Sequence, residues 1–159
     1  TLPAVYLSST HASSCGIYKA TTSTSDEYFL FENRSPGGYD EGFYWSIKSG
    51  NTNFVPGSID NFNGGMAIWH VKDIYSSCYP SNNCEAQSPT LLDLEEANDA
   101  DLDNASSLGR TTHLFYSSNS ATFNNSSTPS SKLYDNSSSG ISVNSISAAG
   151  DNMIITISK

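Results

Sequence analysis

The chain has 159 residues, which is enough for a single domain (1–159) that buries a core of its own without a metal or a disulfide. It carries 16 acidic side chains against 7 lysines and arginines, for a formal net charge of −9. A surface of this sign repels phosphate groups, which argues against nucleic acid and anionic membranes as partners. The sequence also has no run near the roughly 20 apolar residues that a membrane helix requires.

The first predicted elements are two buried strands. Residues 28–31, Tyr-Phe-Leu-Phe, are apolar on both faces, which predicts a central strand covered on both sides. Residues 66–71, Met-Ala-Ile-Trp-His-Val, show the same pattern directly after a glycine turn at 64–65. Residues 91–97 are short and bounded by Pro89, and they predict either a strand or one helical turn.

The remaining predicted strands lie in the C-terminal third. A short strand is predicted over 113–116, and residues 141–143 and 153–158 predict a closing pair joined by a turn at 149–152. Polar segments rich in Gly, Ser and Asn separate the strands. Short strands with long polar connections predict an all-β fold, an antiparallel β-sandwich or jelly roll.

An acidic segment offers oxygen ligands for a cation. Asp99, Asp101 and Asp103 alternate along the chain, and a loop with this spacing can turn its carboxylates onto one calcium ion. The segment does not match the helix-loop-helix calcium motif, because Asn104 stands where that motif needs glycine. The alternatives are an irregular calcium loop and a solvated acidic turn.

Catalytic residues are weakly indicated. The three histidines are far apart in sequence, and His70 follows Trp69 on a predicted buried strand, which favours a core histidine held by a neighbouring carboxylate. Glu32 and Asp40 form a candidate acid pair for glycoside hydrolysis, although no motif supports an enzyme of that kind. The alternative for Glu32 is an internal pair with Arg34 or His70.

The three cysteines indicate an oxidising compartment. Cys78 and Cys84 bracket a five-residue loop and are predicted to form a disulfide, with two free thiols as the alternative. Cys15 remains without an assigned partner. Together with the polar, weakly charged surface, this predicts an extracellular or cell-surface protein.

Five segments in order resemble the immune-inhibitor-A-like secreted metallopeptidases, the M6 family. Residues 27–34, EYFLFENR, with Gly38-Tyr39-Asp40, resemble that family's EYFLxENR…YD stretch. Residues 64–71, GGMAIWHV, resemble its IWHV strand, and residues 92–104 are similar to its acidic DLDN region. Motifs in the closing segment, over 128–150, follow the same order. The likeness spans roughly residues 2–158.

The resemblance implies a non-catalytic accessory domain. In that family these motifs lie in a β-rich region downstream of the catalytic domain and packed against it, whereas the zinc-binding His-Glu-x-x-His helix lies upstream. This chain would then hold no zinc, and its partner would be the upstream catalytic protease domain. The resemblance also implies a structural signature, which consists of Glu32, Arg34, Asp40, Trp69 and His70.

One departure from the family pattern favours a second hypothesis. Where the family continues with an acidic stretch, this chain has residues 109–115, GRTTHLF, so that Arg110 and His113 replace two acids. An arginine at that place opposes a bound cation. The alternative is therefore a self-standing surface or filament module that self-associates and has lost the protease.

Overall fold

The computed structural model describes residues 2–3, 16–36, 64–73, 89–98, 102 and 111–159. Its strands are antiparallel in every pair, and its helical structure in these residues is a single 3₁₀ turn, Thr111–His113. The prediction of an all-β fold is therefore confirmed. The finer expectation of a sandwich or jelly roll stays a prediction.

Eight strands lie in the described residues, and they form a four-stranded sheet in the order β2-β3-β4-β5 and two pairs, β1-β7 and β6-β8. Their bounds are β1 (Leu2–Pro3), β2 (Ile17–Thr21), β3 (Glu27–Arg34), β4 (Gly65–Lys72), β5 (Leu92–Leu94), β6 (Ser142–Ile146), β7 (Asn152–Met153) and β8 (Ile155–Ser158). The two strands predicted over 28–31 and 66–71 are confirmed as β3 and β4, the central strands of the large sheet.

The sheet register gives each central strand two distinct faces. Phe31 lies opposite Ile68 and Phe29 opposite His70, and these residues face the core. Leu30 lies opposite Trp69 on the other side of the sheet, which we call the outer face. Because both faces of β3 carry apolar side chains, its sequence shows a continuous apolar run instead of an alternation.

The core lies between the large sheet and the C-terminal third of the chain. Phe123 is fully buried, and its ring makes edge-to-face contacts with Phe29 at 5.3 Å and with Phe115 at 5.8 Å between centroids. The cluster is completed by residues from β4, β6, β7 and the segments around them, namely Met66, Ile68, Ile141, Val143, Ile146 and Met153. Burial of these large side chains is the main stabilising contribution to the fold.

The C-terminal segments pair largely as the sequence predicts. β6 pairs with β8, with a register irregularity between Val143 and Ser145, and β1 pairs with β7. Residues 91–97, left open between a strand and a helical turn, contain the edge strand β5. The predicted strand over 113–116 is wrong: His113 ends the 3₁₀ turn, and Phe115 makes only an isolated bridge with Met66. The edge strand β2 is an addition that the sequence analysis did not predict.

Gly64 sets the entry into β4. Its φ is +90°, and a Cβ at this position would lie 2.2 Å from the carbonyl oxygen of Arg34. A residue other than glycine would therefore combine a disfavoured backbone conformation with a clash against the end of β3. The glycine lets β4 begin directly beside the end of its neighbour.

Candidate functional site

The most developed polar arrangement surrounds His70 on β4. Its Nε2 lies 2.9 Å from Glu27 Oε1, and its Nδ1 lies 3.1 Å from Glu95 Oε1. Glu27 begins β3 and Glu95 follows β5, so the imidazole connects the two strands that flank its own. The ring is 3% exposed. The predicted core histidine satisfied by a carboxylate is confirmed, with two carboxylates in place of one.

Two further residues complete this arrangement, which we call the His70 cluster: His70, Glu27, Glu95, Lys72 and Tyr134. Lys72 donates to Glu27 Oε2 at 2.9 Å, and the backbone N–H of Tyr134 donates to Glu27 Oε1 at 2.7 Å. The Tyr134 ring stacks on the imidazole with a centroid distance of 4.2 Å and an interplanar angle of 9°. The cluster thus joins the sheet to the C-terminal loop.

Hydrogen-bond capacity links the donor and acceptor roles of the groups in this cluster. A carboxylate accepts hydrogen bonds only, and an imidazole nitrogen donates only when it carries a hydrogen. With Glu27 and Glu95 ionised, the cationic form of His70 is the one that donates to both. The hydrogen bonds from Lys72 and from the Tyr134 backbone to Glu27 offset part of the cost of burying its carboxylate.

Three groups in and beside the cluster have shifted pKa values. Hydrogen bonds to Glu27 and Asp26 raise the pKa of the Lys72 ammonium. The hydrogen bond from Lys72 lowers the pKa of Asp26, whose Oδ2 lies 3.0 Å from the ammonium nitrogen. Burial raises the pKa of the Tyr134 hydroxyl, and the acidic residues around it act in the same direction.

A second polar arrangement lies on the outer face and consists of Glu32, Arg34 and Trp69. Arg34 Nη1 donates to Glu32 Oε1 at 2.9 Å, and Trp69 Nε1 donates to Glu32 Oε2 at 3.0 Å. Of the two partners considered for Glu32, Arg34 is therefore correct and His70 is wrong, because Glu32 and His70 lie on opposite faces of the sheet. Both oxygens of Glu32 are occupied, and the residue is 8% exposed.

The centre of the outer face is apolar, and Lys19 and Thr21 of β2 lie towards one edge of it. Leu30 and Trp69 occupy its centre, and they are only partly buried. Ile17 on β2 and Leu92 on β5 lie towards its two edges, with exposed fractions of 44% and 41%. The outer face therefore combines an internally paired carboxylate with accessible hydrocarbon, which is a composition suited to contact with another protein surface.

Several predicted site residues lie outside the described part of the chain. These are the calcium candidates Asp99, Asp101 and Asp103, the signature residue Asp40, and the cysteines Cys15, Cys78 and Cys84. The calcium site and the disulfide stay predictions. Within the described ranges, no group of three or more His, Cys, Asp or Glu side chains is arranged to hold a metal ion. The same ranges contain no helix long and apolar enough to cross a membrane.

Three partners of His70, namely Glu27, Glu95 and Tyr134, were not predicted from the sequence, and neither was Lys72 as a partner of Glu27. Glu27 is 43 residues from the histidine and Glu95 is 25 residues from it, so no local motif joins them. A weak signal was present in β4, where His70 and Lys72 are two residues apart and therefore share a face. Two cationic side chains on the core face of a buried strand require acidic partners.

The chain matches no protein-family model, no curated protein and no solved structure.

Proposed function

We propose that this chain is a non-catalytic accessory domain of a secreted zinc metallopeptidase similar to the M6 family, and that it braces the catalytic domain. The observation that carries the proposal is the outer face. Two of the segments that resemble the family, residues 27–34 and 64–71, contain neighbouring strands of this sheet. Together they present Leu30, Trp69 and the Glu32–Arg34 pair on one surface.

The chemistry of the described polar residues supports a bracing role over a catalytic one. Glu27 has both carboxylate oxygens occupied by His70, Lys72 and the Tyr134 backbone, and Glu32 has both occupied by Arg34 and Trp69. A general acid or base has to reach the proton that it transfers. These carboxylates are instead held by internal donors, so they act in stabilising the sheet.

The first experiment is to sequence the gene upstream of the codon for Thr1. A reading frame that encodes a His-Glu-x-x-His helix behind a signal peptide supports the proposal. A start codon or signal peptide directly before Thr1, without such a helix, contradicts it.

The second experiment tests the contact itself with purified proteins. The catalytic domain encoded upstream is expressed separately and titrated with this chain by isothermal calorimetry. Leu30→Arg on the outer face is expected to abolish binding, because an ammonium or guanidinium group is costly to bury in an apolar contact. Ile154→Arg is the matched control, since Ile154 is exposed at 57% but lies in the C-terminal segment. Equal loss in both variants contradicts the assignment to the outer face.

A self-associating surface module is the second candidate, and the strand β2 favours it. β2 is an edge of the large sheet, and it carries Ile17 and Tyr18 with exposed fractions of 44% and 48%. Edge strands with exposed apolar side chains pair readily with strands of another molecule. Sedimentation velocity over a hundredfold concentration range tests this candidate, and a constant monomer contradicts it.

A further inference from the structure

A cavity of about 300 Å³ opens beside the turn that connects β2 to β3. Its wall is rich in hydroxyl groups, with one ammonium and one aromatic ring, and it includes Lys19, Thr21, Thr22, Ser23, Thr24 and Tyr28. The volume is at the small end of ligand sites and matches a single sugar ring better than a larger molecule. Neither of the polar arrangements described above explains this lining.

The turn that forms the wall is held in shape by Thr22. The Thr22 hydroxyl accepts a hydrogen bond from the Thr24 backbone N–H at 3.3 Å and lies 3.1 Å from the Thr24 hydroxyl. It also donates to the carbonyl oxygen of Glu27, so it bonds to both ends of the turn. A wall fixed in this way loses little conformational entropy when a ligand binds.

One ammonium group lines this cavity and a second contacts a residue of its wall, in a chain of net charge −9. Lys19 Nζ lies 3.4 Å above the centre of the Tyr28 ring, and Lys159 Nζ donates to Thr21 Oγ1 at 3.2 Å. Neither lysine has a carboxylate partner among the ion pairs of the described residues, whereas Arg34 and Lys72 do. Lys19 and Lys159 therefore retain donors for an anionic ligand.

The acidic groups near the cavity are already paired. Glu27 contributes to the lining, but its carboxylate is bonded to His70, Lys72 and the Tyr134 backbone. Asp26 lies next to the turn and is ion-paired with Lys72. Lys72 is shared between these two carboxylates and offsets part of their charge, while Lys19 and Lys159 add positive charge beside Tyr28 and Thr21.

We propose that this cavity binds one sugar unit that carries a carboxylate or a sulfate group. The Lys19 and Lys159 ammonium groups bind the anionic substituent, and the hydroxyls of Thr21, Ser23 and Thr24 exchange hydrogen bonds with the ring hydroxyls. Aromatic side chains such as Tyr28 pack well against the apolar face of a sugar. Lys19 and Thr21 lie on the outer face, opposite Leu30 and Tyr28, so the cavity is at the end of that face beside the β2–β3 turn. The proposal does not depend on the proposed function.

The test is a calorimetric and saturation-transfer NMR titration of the full chain with glucuronate, glucose 6-sulfate, glucose and inorganic sulfate. Binding of either anionic sugar is expected, with glucose and inorganic sulfate each at least about tenfold weaker. Affinity for the anionic sugars is also expected to fall in 0.5 M salt, because exposed ion pairs are screened.

Matched lysine variants locate the site. Lys19→Met and Lys159→Met are each expected to weaken binding by about tenfold, through loss of a charge-assisted hydrogen bond. Lys132→Met removes an exposed lysine that does not line the cavity, so it is expected to leave binding unchanged. Circular dichroism verifies that each variant is folded.

Four outcomes overturn the proposal. Equal affinity for glucose and glucuronate contradicts recognition of the anionic group. Equal affinity for inorganic sulfate and the anionic sugars contradicts recognition of the sugar ring. Unchanged affinity in both Lys19→Met and Lys159→Met contradicts the proposed site. It is also contradicted if neither anionic sugar binds at 50 mM.

Discussion

Replacement of His70 tests the central structural claim, which is that the His70 cluster stabilises the fold by charge pairing. His70→Leu keeps an apolar side chain of similar volume between the rings of Phe29 and Tyr134 but removes both ring donors. Glu27, which is buried, and Glu95, which is partly buried, then lose their imidazole partner; their side-chain exposures are 3% and 13%. The variant therefore isolates the loss of pairing from the loss of volume.

The expected loss of stability in His70→Leu depends on the contacts that Glu27 and Glu95 keep. Removing one partner of a buried ion pair costs about 3–5 kcal/mol, because the other charge stays desolvated. Glu27 keeps Lys72 and the Tyr134 backbone N–H, so we expect the lower end, about 3 kcal/mol. For a chain of this size, that loss corresponds to a fall in Tm of about 6–12 °C.

A double variant separates unpaired charge from other causes. In His70→Leu combined with Glu95→Leu, the unpaired carboxylate is gone, and we expect at least about 1 kcal/mol to be recovered. The free energy of unfolding is measured by urea denaturation, followed by tryptophan fluorescence and far-UV circular dichroism. Lys132→Met serves as the control. A loss below about 1 kcal/mol for His70→Leu, or a further loss in the double variant, refutes the reasoning.

Three other perturbations have defined outcomes. Gly64→Ala is expected to lower the free energy of unfolding by about 2 kcal/mol or more, because the added methyl group clashes with the Arg34 carbonyl oxygen. Gly140→Ala is the control, since Gly140 also has a positive φ of +78° but has open space where its Cβ would lie. Equal losses of stability in urea denaturation would contradict the clash. Stability is expected to fall above about pH 10, where tyrosine in the unfolded chain loses its proton while the buried Tyr134 hydroxyl keeps its proton. The decline should be smaller in Tyr134→Phe. Identical pH profiles of stability for the two proteins would contradict this contribution of Tyr134. Calcium is expected to raise Tm and a chelator to lower it, and Asp101→Asn should abolish the difference; an unchanged midpoint removes the site predicted over residues 99–103.

Lys72 is a second reason to expect a loss of stability above about pH 10. Its pKa is raised in the folded state, so its contribution to stability is complete below about pH 10 and is lost as the pH rises through the folded value. The pKa of Asp26 is lowered, so its contribution is present above about pH 4 and is lost as the pH falls further. The Lys72–Asp26–Glu27 contacts therefore favour the folded state between these limits.

The central strands were predictable because apolar side chains on both faces leave a direct trace in composition. An uninterrupted apolar run such as that over residues 28–31 favours a central strand, so β3 and β4 could be predicted from the sequence alone. The edge strand β2 leaves no such trace, because most of its side chains are exposed and its five residues do not form an apolar run. The strand predicted over 113–116 was wrong because a short apolar segment can be buried in an irregular conformation as well as in a strand.

The candidate site was only partly predictable for a related reason. His70 was correctly interpreted as a buried histidine with a carboxylate partner, since a lone polar side chain in a core must be paired. The identity of its partners depends on strand order, which places Glu27 and Glu95 on either side of β4. Register also decides that Glu32 lies on the opposite face from His70, and sequence spacing alone does not contain that information.

The amide of Asn33 has a consequence for modification of the chain. Asn33 is fully buried on β3, and its Nδ2 donates to the carbonyl oxygens of Gly150 and Asp151 at 3.1 and 3.2 Å. Asn33-Arg34-Ser35 has the letters of an asparagine glycosylation acceptor, and the Ser35 hydroxyl is bonded to Asp151. A glycan on Nδ2 would have to replace these bonds and displace the turn before β7. The folded protein is therefore closed to glycosylation at this asparagine, and a sugar attached before folding would prevent the C-terminal turn from docking on the sheet.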